Sequence, residues 1–266
     1  MAIYTLTPQQ LKGAGIYNSF EIPAGGGSSF ASTNSFTFDG ADDYITNTGS
    51  PFSLLDGQTK ATFSAWIKPI SIPNYKIIAS VIKDATISNH QFQIELTTAG
   101  TLQFSMDSTS KYIRASSTPI NLNVWTHIMY CIDTTQGVGS QRGRVFINRV
   151  DSTSGTTVSG TFSSSTGPLY IGEKQSGQYN PFYGLIDEFA IWSGTDLRNE
   201  ISAVYNGGIP GDLNNSGLSR NPDLWYRMGE NATWTGREFN ITDAAGNYSG
   251  ITNNMAEDAK TTDVPT

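Results

Sequence analysis

The sequence predicts an all-β fold, a β-sandwich, on three observations. Charged residues make up 15% of the 266 residues, below the ~25% typical of soluble domains, whereas 37% are hydrophobic and 11% are aromatic. Short apolar runs alternate with polar residues at a period of two, and clusters of turn-forming residues separate these runs. Helical spacing is rare. Many short strands with frequent turns and almost no helix are typical of a β-sandwich.

The N-terminal residues 1–34 differ from the rest of the chain. Thr7 and Pro8 are suited to begin a single helical turn, and the run AGGGSS at residues 24–29 breaks regular structure. We therefore predict an N-terminal arm with a Gly-rich linker over residues 1–34. A terminus without a function is the alternative that this composition leaves open.

The predicted strands begin at Ser35 and continue through the chain. In order they are residues 35–38, 62–68, 91–96, 102–106, 124–132, 145–147, 169–171, 183–192, 224–228 and 248–252. The two strands on either side of the Thr-Ala-Gly turn at residues 98–100 are predicted to form a hairpin. The runs 124–132 and 183–192 are apolar at both odd and even positions, as in central strands covered on both sides. Residues 256–266 are predicted to form a loose C-terminal tail.

One short helix is predicted after the second of these central strands. Four apolar residues share one face at helical spacing: Leu197, Ile201, Val204 and Tyr205. Thr195 or Asp196 is suited to cap the start of this helix, and the Asn-Gly-Gly run at residues 206–208 is suited to end it.

Charge and cysteine content exclude several classes of function. The chain has 16 basic and 23 acidic residues, a formal net charge of −7 and no basic stripe, which disfavours binding to nucleic acid. One cysteine, Cys131, and two histidines exclude a disulfide framework or a Cys/His zinc cluster within one chain. No apolar run is long enough to span a membrane. The N-terminus has neither the basic nor the apolar region of a signal peptide, so we expect a protein that is made in a reducing cytoplasm.

An ordered set of motifs resembles a known family. The motifs are FDGADDYI (residues 38–45), FSAWIKP (63–69), VWTHIMYCID (124–133), VFIN (145–148), LYIG (169–172) and YGLIDEFAIW (183–192). Over residues 35–210 this set resembles the laminin G-like domains of the concanavalin A-like lectin/glucanase superfamily. The resemblance implies a jelly-roll sandwich of two curved antiparallel sheets, often with a calcium ion near one edge.

The C-terminal segment departs from the family pattern. Segments like LWYRMGE (224–230) and DAAGNYSGITN (243–253) precede the FDG strand in many such domains, but here they follow everything else. We interpret this order as a circular permutation, which gives one jelly-roll domain over residues 35–255. A coincidental pair of strands is the alternative. Domain termini usually lie close together at the surface, which makes a permutation feasible.

The carboxylates do not match the catalytic pattern of the glucanase branch. Retaining glycosidases need two carboxyl groups ~5 Å apart, which on a strand requires positions on one face. Asp187 and Glu188 are neighbours, whose side chains point to opposite faces in a regular strand. His127 is expected to be a structural residue of a core strand, and no serine lies in a nucleophile-elbow context. We therefore predict that the protein is not an enzyme.

Calcium is the expected cofactor. Asp187 shares a strand face with Leu185 and Phe189, and burial of a carboxylate is costly without a cation or several hydrogen bonds. The fold that the resemblance implies brings Asp39 and Asp43 near Asp187, and oxygen ligands of this kind suit calcium. The expected metal ligands are therefore Asp39, Asp43 and Asp187. Hydrogen bonding of Asp187 to a neighbouring loop without a metal is the alternative.

A solvated strand face and one tryptophan are candidate glycan contacts. Gln91, Gln93 and Glu95 alternate with apolar residues and offer the amides and the carboxylate of a sugar site, although any solvated strand carries such residues. Trp234, in the polar segment NATWTGRE, is the candidate for an exposed stacking platform, whereas Trp192 is expected to pack in the core.

The overall arrangement also resembles virion proteins of tailed bacteriophages, on which laminin G-like domains are displayed. We therefore expect a non-enzymatic protein of the virion surface, made in the host cytoplasm and homo-oligomeric. Its N-terminal arm is expected to join other virion proteins, and its sandwich is expected to contact host surface glycans. A purely structural decoration or fibre protein without sugar binding and a glycanase-related enzyme are the two alternatives.

Overall fold

A jelly-roll β-sandwich with one short α-helix is the architecture of the described residues, as the sequence predicts. The computed structural model describes residues 30–49, 51–83, 89–115, 118–174 and 180–266, and their compact unit runs from Ala31 to Thr266. The helical turn and the Gly-rich linker predicted before residue 30 lie outside the described residues.

The first sheet has eight strands within the described residues, and all of its pairings are antiparallel. In sheet order, its strands are β10 (Val150–Asp151), β9 (Gly143–Ile147), β8 (Thr126–Asp133), β3 (Lys60–Pro69), β13 (Tyr183–Ser193), β1 (Ser35–Asp39) and β18 (Lys260–Thr261), and β14 (Leu224–Tyr226) pairs with the C-terminal half of β13. The two runs predicted as central strands, which contribute β8 and β13, lie in the middle of this sheet.

The second sheet has ten strands within the described residues and is also antiparallel. In sheet order, its strands are β11 (Thr153–Thr156), β7 (Ser108–Ala115), β6 (Leu102–Met106), β5 (His90–Leu96), β4 (Lys76–Ile82), β12 (Leu169–Ile171), β2 (Tyr44–Asn47), β17 (Gly250–Asn253), β16 (Phe239–Ile241) and β15 (Ala232–Trp234). The predicted hairpin is present as β5 and β6, with Leu96 opposite Leu102.

The hydrophobic core lies between the two sheets. Phe63 of β3 contacts Phe92 of β5 and Phe104 of β6, with ring centroids 4.8 and 5.3 Å apart. All three rings are buried, and burial of one such side chain contributes roughly 1.5–3 kcal/mol. Because side chains alternate across a strand, the residues directly next to Phe92 in β5 and to Phe104 in β6 point away from the core.

The C-terminal strands belong to the same sandwich. Leu224 pairs with Ile191 in the first sheet, and Ile251 pairs with Thr46 in the second sheet. The C-terminal segment therefore contributes strands to both sheets, as the permutation hypothesis requires, and the coincidental-pair alternative stays open. The evolutionary permutation itself stays a prediction.

The predicted loose tail is wrong. Residues 257–259 form a 3-10 turn, and β18 pairs with β1 through Lys260 and Phe36. Asp263 then accepts hydrogen bonds from Lys68 Nζ at 2.6 Å and from Trp125 Nε1 at 2.8 Å. Polar anchors of this kind leave no hydrophobic pattern in the sequence, and the short strand has only two residues.

The α-helix is shorter than predicted. Helix α1 (Ile201–Tyr205) begins six residues after Thr195, so neither Thr195 nor Asp196 caps it. Asp196 instead accepts a hydrogen bond from the backbone N–H of Arg198 in a local turn. The predicted end is confirmed, because Asn206 adopts a left-handed conformation (φ 46°). Among the described residues, no helix is long and apolar enough to cross a membrane.

Candidate functional site

A line of polar side chains crosses the outer face of the second sheet. Gln93 and Glu95 of β5, Gln103 of β6 and Arg114 of β7 alternate with core residues, and the register places Glu95 opposite Gln103 and Gln103 opposite Arg114. We call these four residues the polar row. Side chains that share a face at adjacent register positions come close enough to interact.

The polar row forms one continuous hydrogen-bond network. Arg114 Nε donates to Gln103 Oε1 at 2.8 Å, and Gln103 Nε2 donates to Glu95 Oε1 at 2.8 Å. Gln93 Nε2 donates to the other oxygen of the same carboxylate, Glu95 Oε2. Burial raises the pKa of Glu95, while the two amide donors and the charges of Lys174 and Arg114 act in the opposite direction.

Exposure changes along this network from one end to the other. Arg114 is exposed at the β7 end, whereas Gln103 is 9% exposed and Glu95 only 5% exposed. At the exposed end, the Arg114 guanidinium lies 3.9 Å from the centre of the Tyr112 ring. The accessible end of the polar row is therefore Arg114, which stacks on Tyr112. Hydrogen bonds through Gln103 connect this arginine to the buried carboxylate of Glu95.

Further polar and aromatic groups continue the same face. Ser80 of β4 lies opposite both Gln93 and Tyr170, and the Tyr170 and Tyr44 ring centroids are 5.8 Å apart. Ser80 Oγ donates to the backbone carbonyl of Lys174 at 2.8 Å, so the chain that follows β12 lies against this face. These contacts bury the middle of the sheet face and leave its β7 end open.

The sequence prediction of a solvated face at Gln91, Gln93 and Glu95 is wrong. All three residues are buried, and protein groups form hydrogen bonds with four of their six side-chain nitrogen and oxygen atoms. Gln91 Nε2 donates to Asp56 Oδ1 at 2.7 Å and also to the Ser163 carbonyl, so Gln91 connects loops and lies outside the polar row. An alternating pattern shows which face a residue occupies but not what covers that face.

Trp234 is also not the exposed platform that the sequence predicts. Its side chain is half-buried, and its ring centroid lies 4.9 Å from that of Phe239, a core residue. The expectation for Trp192 is confirmed, since it is fully buried. Polar neighbours in sequence do not expose Trp234, because the short hairpin of β15 and β16 directs its ring onto the core.

Two clusters of carboxylates are present in the described residues, and both are candidate cation sites. In each of them, oxygens of three residues lie within 4.8 Å of one another. The first cluster, Asp39, Asp42 and Asp43, forms the turn between β1 and β2. This turn cluster borders an open cavity of about 300 Å³ that Asn254 and Asp258 also line.

Backbone N–H groups of the turn donate hydrogen bonds to two carboxylates of the turn cluster, those of Asp39 and Asp43. Asp39 Oδ1 accepts from the backbone N–H groups of Ala41 and Asp42, at 2.7 and 3.3 Å. Asp43 Oδ2 accepts from the Asp39 N–H at 2.9 Å. Burial is the largest cause that raises the pKa of Asp43 to about 6, and the neighbouring carboxylates of Asp39 and Asp42 contribute.

The second cluster, Asp187, Glu188 and Glu230, arises from a bulge in β13. Asp187 pairs with Trp66 and Ala190 pairs with Ser64, so β13 contains one residue more than β3 over this stretch. Glu188 occupies the extra position with a left-handed backbone (φ 50°). We call this second group the bulge cluster.

The bulge changes which face each residue occupies. Ile186 and Phe189 both face the core, although they are three residues apart, so the two acidic residues between them lie on the outer side. The prediction that Asp187 shares a face with Phe189 is therefore wrong, and so is the prediction that Asp187 and Glu188 point to opposite faces. A single inserted residue has no hydrophobic signature, and regular alternation cannot reveal it.

The structure does not bring Asp187 to Asp39 and Asp43. Asp39 pairs with Tyr183, and Asp187 lies four residues further along β13, roughly 13 Å away at ~3.3 Å per residue. The expected single site of Asp39, Asp43 and Asp187 is therefore wrong. Its members are divided between the turn cluster and the bulge cluster, and Asp42, Glu188 and Glu230 join them.

Hydrogen bonds and mutual repulsion shape the electrostatics of the bulge cluster. Ser32 Oγ donates to Asp187 Oδ2 at 2.7 Å, and Trp225 Nε1 donates to Glu188 Oε2 at 2.6 Å. Burial, followed by repulsion from Glu188 and Glu230, raises the pKa of Asp187 well above its usual range. Burial also raises the pKa of Glu188 to about 8, although Arg227 opposes this shift.

The carboxylate spacing in the bulge cluster is close to that of a retaining glycosidase, but a sugar has no access to it. Asp187 is fully buried and Glu188 is 4% exposed. The void that Glu188 lines has a volume of about 10 Å³, which is at the lower limit of what one water molecule needs and far too small for a sugar ring. This arrangement can hold protons or an ion, and a sugar ring does not fit beside it.

A second sequence signal would have found part of the polar row. The predicted β5–β6 hairpin, with its turn at residues 98–100, places Glu95 opposite Gln103 as soon as the register is counted from Leu96 and Leu102. Arg114 and Tyr112 have no such signal, because β7 carries few apolar residues.

The two-sheet jelly roll with a polar outer face defines a lectin-like β-sandwich. Residues 39–202 match the family described as the concanavalin A-like lectin/glucanases superfamily, which covers more than half of the chain. The protein belongs to this family, as the sequence motifs indicate. No curated protein matches the sequence.

Solved structures share the fold at low sequence identity. A candidate carbohydrate-binding protein from Bacteroides ovatus ATCC 8483 is similar with a TM-score of 0.62 and 20% identity, over 88% of this chain and 61% of that one. This chain thus spans about three fifths of the length of that protein. A heptameric SAP-like pentraxin from Limulus polyphemus is similar with a TM-score of 0.50 and 21% identity, over 66% of this chain and 83% of that one.

Proposed function

We propose that the protein is a non-catalytic carbohydrate-binding protein and that the exposed end of the polar row is its binding surface. The observation that carries the proposal is the network from Arg114 through Gln103 to Glu95, with Tyr112 stacked under the arginine. The likeness to a candidate carbohydrate-binding protein from Bacteroides ovatus supports the proposal at the level of the fold.

The chemistry of the row suits a neutral or weakly acidic sugar. Sugar hydroxyls need fixed donors and acceptors, and the apolar face of a pyranose ring needs an aromatic surface. Arg114 has further N–H donors beyond the Nε that contacts Gln103, and Tyr112 is half-buried beside it. The buried partners Gln103 and Glu95 hold the arginine in place, so binding does not require the arginine to be ordered anew.

Glycan binding by matched variants tests this proposal. A glycan array identifies a ligand, and calorimetry then compares wild type with Arg114→Ala and Tyr112→Ala. We expect each substitution to weaken binding at least tenfold, which corresponds to about 1.4 kcal/mol. Arg237→Ala is the control, since Arg237 is an exposed arginine in the β15–β16 turn of the same sheet. Equal loss in the control, or no loss in either row variant, contradicts the proposal.

A purely structural protein is the second candidate, and the buried part of the polar row, which consists of Gln93, Glu95 and Gln103, favours it. Glu95 already accepts hydrogen bonds from Gln103 and from Gln93, which is buried beside them, so its carboxylate has no free oxygen for a ligand. An array without any bound glycan, together with ordered density for the protein in a larger particle, supports this second candidate. Release of sugar from polysaccharides supports the glycanase-related alternative instead.

The placement of the protein on a bacteriophage virion remains our proposal as well. It rests on the resemblance to virion proteins of tailed bacteriophages, and it includes attachment through residues 1–34, a homo-oligomeric state and contact with host surface glycans. Electron microscopy of the parent particle tests the location. Deletion of residues 1–29 tests the attachment, and full incorporation of the shortened protein contradicts it.

A further inference from the structure

The open end of the polar row carries a cation without an ion-pair partner. Among the described residues, no carboxylate lies within 4.0 Å of a side-chain nitrogen of Arg114, and the same is true of Lys174. Lys174 follows β12 and is close enough to the row for its charge to act on Glu95. The row therefore holds two unpaired cations, of which Arg114 is exposed and Lys174 is half-buried.

The buried carboxylate of Glu95 does not pair with either cation. Its two oxygens accept amide N–H groups from Gln93 and Gln103, so these amides separate it from the guanidinium of Arg114. Two cations and one carboxylate leave one positive charge in excess at this end of the row. This excess is local, because the chain as a whole has a net charge of −7.

Other charged residues near this face do not cancel the excess at the β7 end. Lys111 of β7 lies with its Nζ 3.5 Å from Asp107 Oδ2, so that pair is neutral as a whole. Glu173 acts on the β2 side of the face, where burial and then the charge of Glu173 raise the pKa of Tyr44. The excess charge is therefore accessible to a ligand at Arg114.

The guanidinium of Arg114 is held with its two terminal nitrogens free. Nε donates to Gln103 Oε1 at 2.8 Å, and Cζ lies 3.9 Å from the centre of the Tyr112 ring. Among the described residues, Nη1 and Nη2 have no hydrogen-bond acceptor. Because the hydrogen bond and the aromatic ring fix the guanidinium, these two nitrogens form a preorganised pair of donors.

We propose that the ligand of the polar row is an acidic glycan and that an anionic group of one sugar binds to Nη1 and Nη2 of Arg114. This inference rests on the proposed function and narrows its class of ligand. A carboxylate or a sulfate accepts two parallel N–H bonds from such a pair, and charge-assisted hydrogen bonds are about twice as strong as neutral ones. The anionic group also removes the excess positive charge, which a hydroxyl of a neutral sugar does not.

Matched acidic and neutral glycans test this inference. A glycan array carries pairs that differ in anionic groups: sialylated and unsialylated lactose, galacturonate oligomers and their methyl esters, and sulfated and unsulfated galactan oligomers. We expect the full-length wild type to bind an acidic member at least tenfold more tightly than its neutral partner. The first two pairs report a carboxylate and the third reports a sulfate, so the array also identifies the anionic group.

Substitutions then assign the charge preference to individual residues. Calorimetry compares the two members of the preferred pair. Arg114→Gln removes the charge and is expected to abolish the preference for the acidic member. Arg114→Lys keeps the charge but lacks the paired donors, and it is expected to retain only part of the preference. Lys174→Gln is expected to weaken binding of the acidic member and to leave the neutral member unchanged.

Two further measurements control for indirect effects. Arg237→Gln removes an exposed arginine in the β15–β16 turn of the same sheet and should keep the wild-type preference. Salt tests the wild type without any substitution: between about 50 and 500 mM NaCl, the affinity for the acidic member should fall, because ions screen exposed charges. The affinity for the neutral member should change little.

The outcomes separate this inference from the proposed function. Neutral glycans that bind at Arg114 as tightly as their acidic partners overturn the inference and leave the proposed function intact. A preference that persists in Arg114→Gln places the anionic group elsewhere and also overturns the inference. If Arg114→Gln does not fold, an acidic-glycan affinity that is insensitive to salt overturns it. An array without any bound glycan overturns both.

Discussion

The indole Nε1–H of Trp225 donates a 2.6 Å hydrogen bond to Glu188 Oε2, and this bond joins β14 to the bulge of β13. The backbone N–H of Trp225 donates to Asp243 Oδ1 at 2.7 Å, so the same residue also anchors the segment before β17. The C-terminal part of the chain is thus tied to the central strand of the first sheet through buried polar contacts. These contacts lead to predictions about stability.

Removal of the C-terminal strands is expected to abolish folding. Deletion of all residues after Pro222 removes β14 to β18, including Leu224, Tyr226 and Phe239 from the core. Loss of buried side chains of this size costs roughly 2–5 kcal/mol each, against a typical total stability of ~5–15 kcal/mol. Thermal melting by circular dichroism should show no cooperative transition. A transition like that of the full chain would contradict the single-domain assignment.

Asp243→Ala is expected to destabilise the protein strongly. The carboxylate accepts four backbone N–H groups, from Trp225, Ala245, Asn247 and Tyr248, at 2.7–3.0 Å. Loss of this acceptor leaves donors unpaired, and we expect a decrease of about 3 kcal/mol in the free energy of unfolding. Urea denaturation measures the decrease. Asp258→Ala, at an exposed aspartate, is the control and should change stability by less than ~0.5 kcal/mol.

His127 is expected to make stability fall as the pH decreases. Burial lowers the pKa of His127 from 6.5 to about 3, and its Nε2 lies 2.8 Å from Ser64 Oγ. Because this pKa is lower in the folded state, the unfolded state binds more protons between pH 6.5 and 3, and folding loses stability over that range. At pH 5 the loss is about 2 kcal/mol relative to pH 7.5.

Urea denaturation of wild type and His127→Gln at pH 7.5 and 5.0 checks this prediction. Both proteins are measured in the same buffer components and at the same salt concentration. The wild type should lose more stability than the variant between the two pH values. Equal losses would show that His127 does not control the acid sensitivity of the fold.

Glu95→Gln is expected to break the polar row. Both oxygens of Glu95 accept amide N–H groups, from Gln93 and Gln103, so an amide at this position turns one acceptor into a donor that faces another donor. We expect a loss of ~1–3 kcal/mol in unfolding free energy and weaker glycan binding at Arg114. Glu257→Gln, at an exposed glutamate, provides the matched control. An unchanged stability in Glu95→Gln would mean that water enters the row.

The local pattern of the chain was enough to predict the class of fold and most of its central elements. Alternation in residues 91–106 predicts the β5–β6 hairpin, and the apolar runs before Asp133 and before Ser193 predict two central strands. β4 was missed, because KIIASVI has too few polar residues to show alternation. Such predictions succeed because strand periodicity is a property of consecutive residues.

The candidate sites depend on relations that consecutive residues do not contain. Glu188 reaches the face of Asp187 only because β13 has one residue more than β3, and Glu230 joins them from 42 residues further along the chain. Likewise, Gln93 and Glu95 are buried because partners on β6 and the chain at Lys174 lie against them. The sequence by itself determined which side chains were able to carry charge and hydrogen bonds. Tertiary structure decided which of them meet and which lose contact with water, because burial and register are set by the pairing of distant strands.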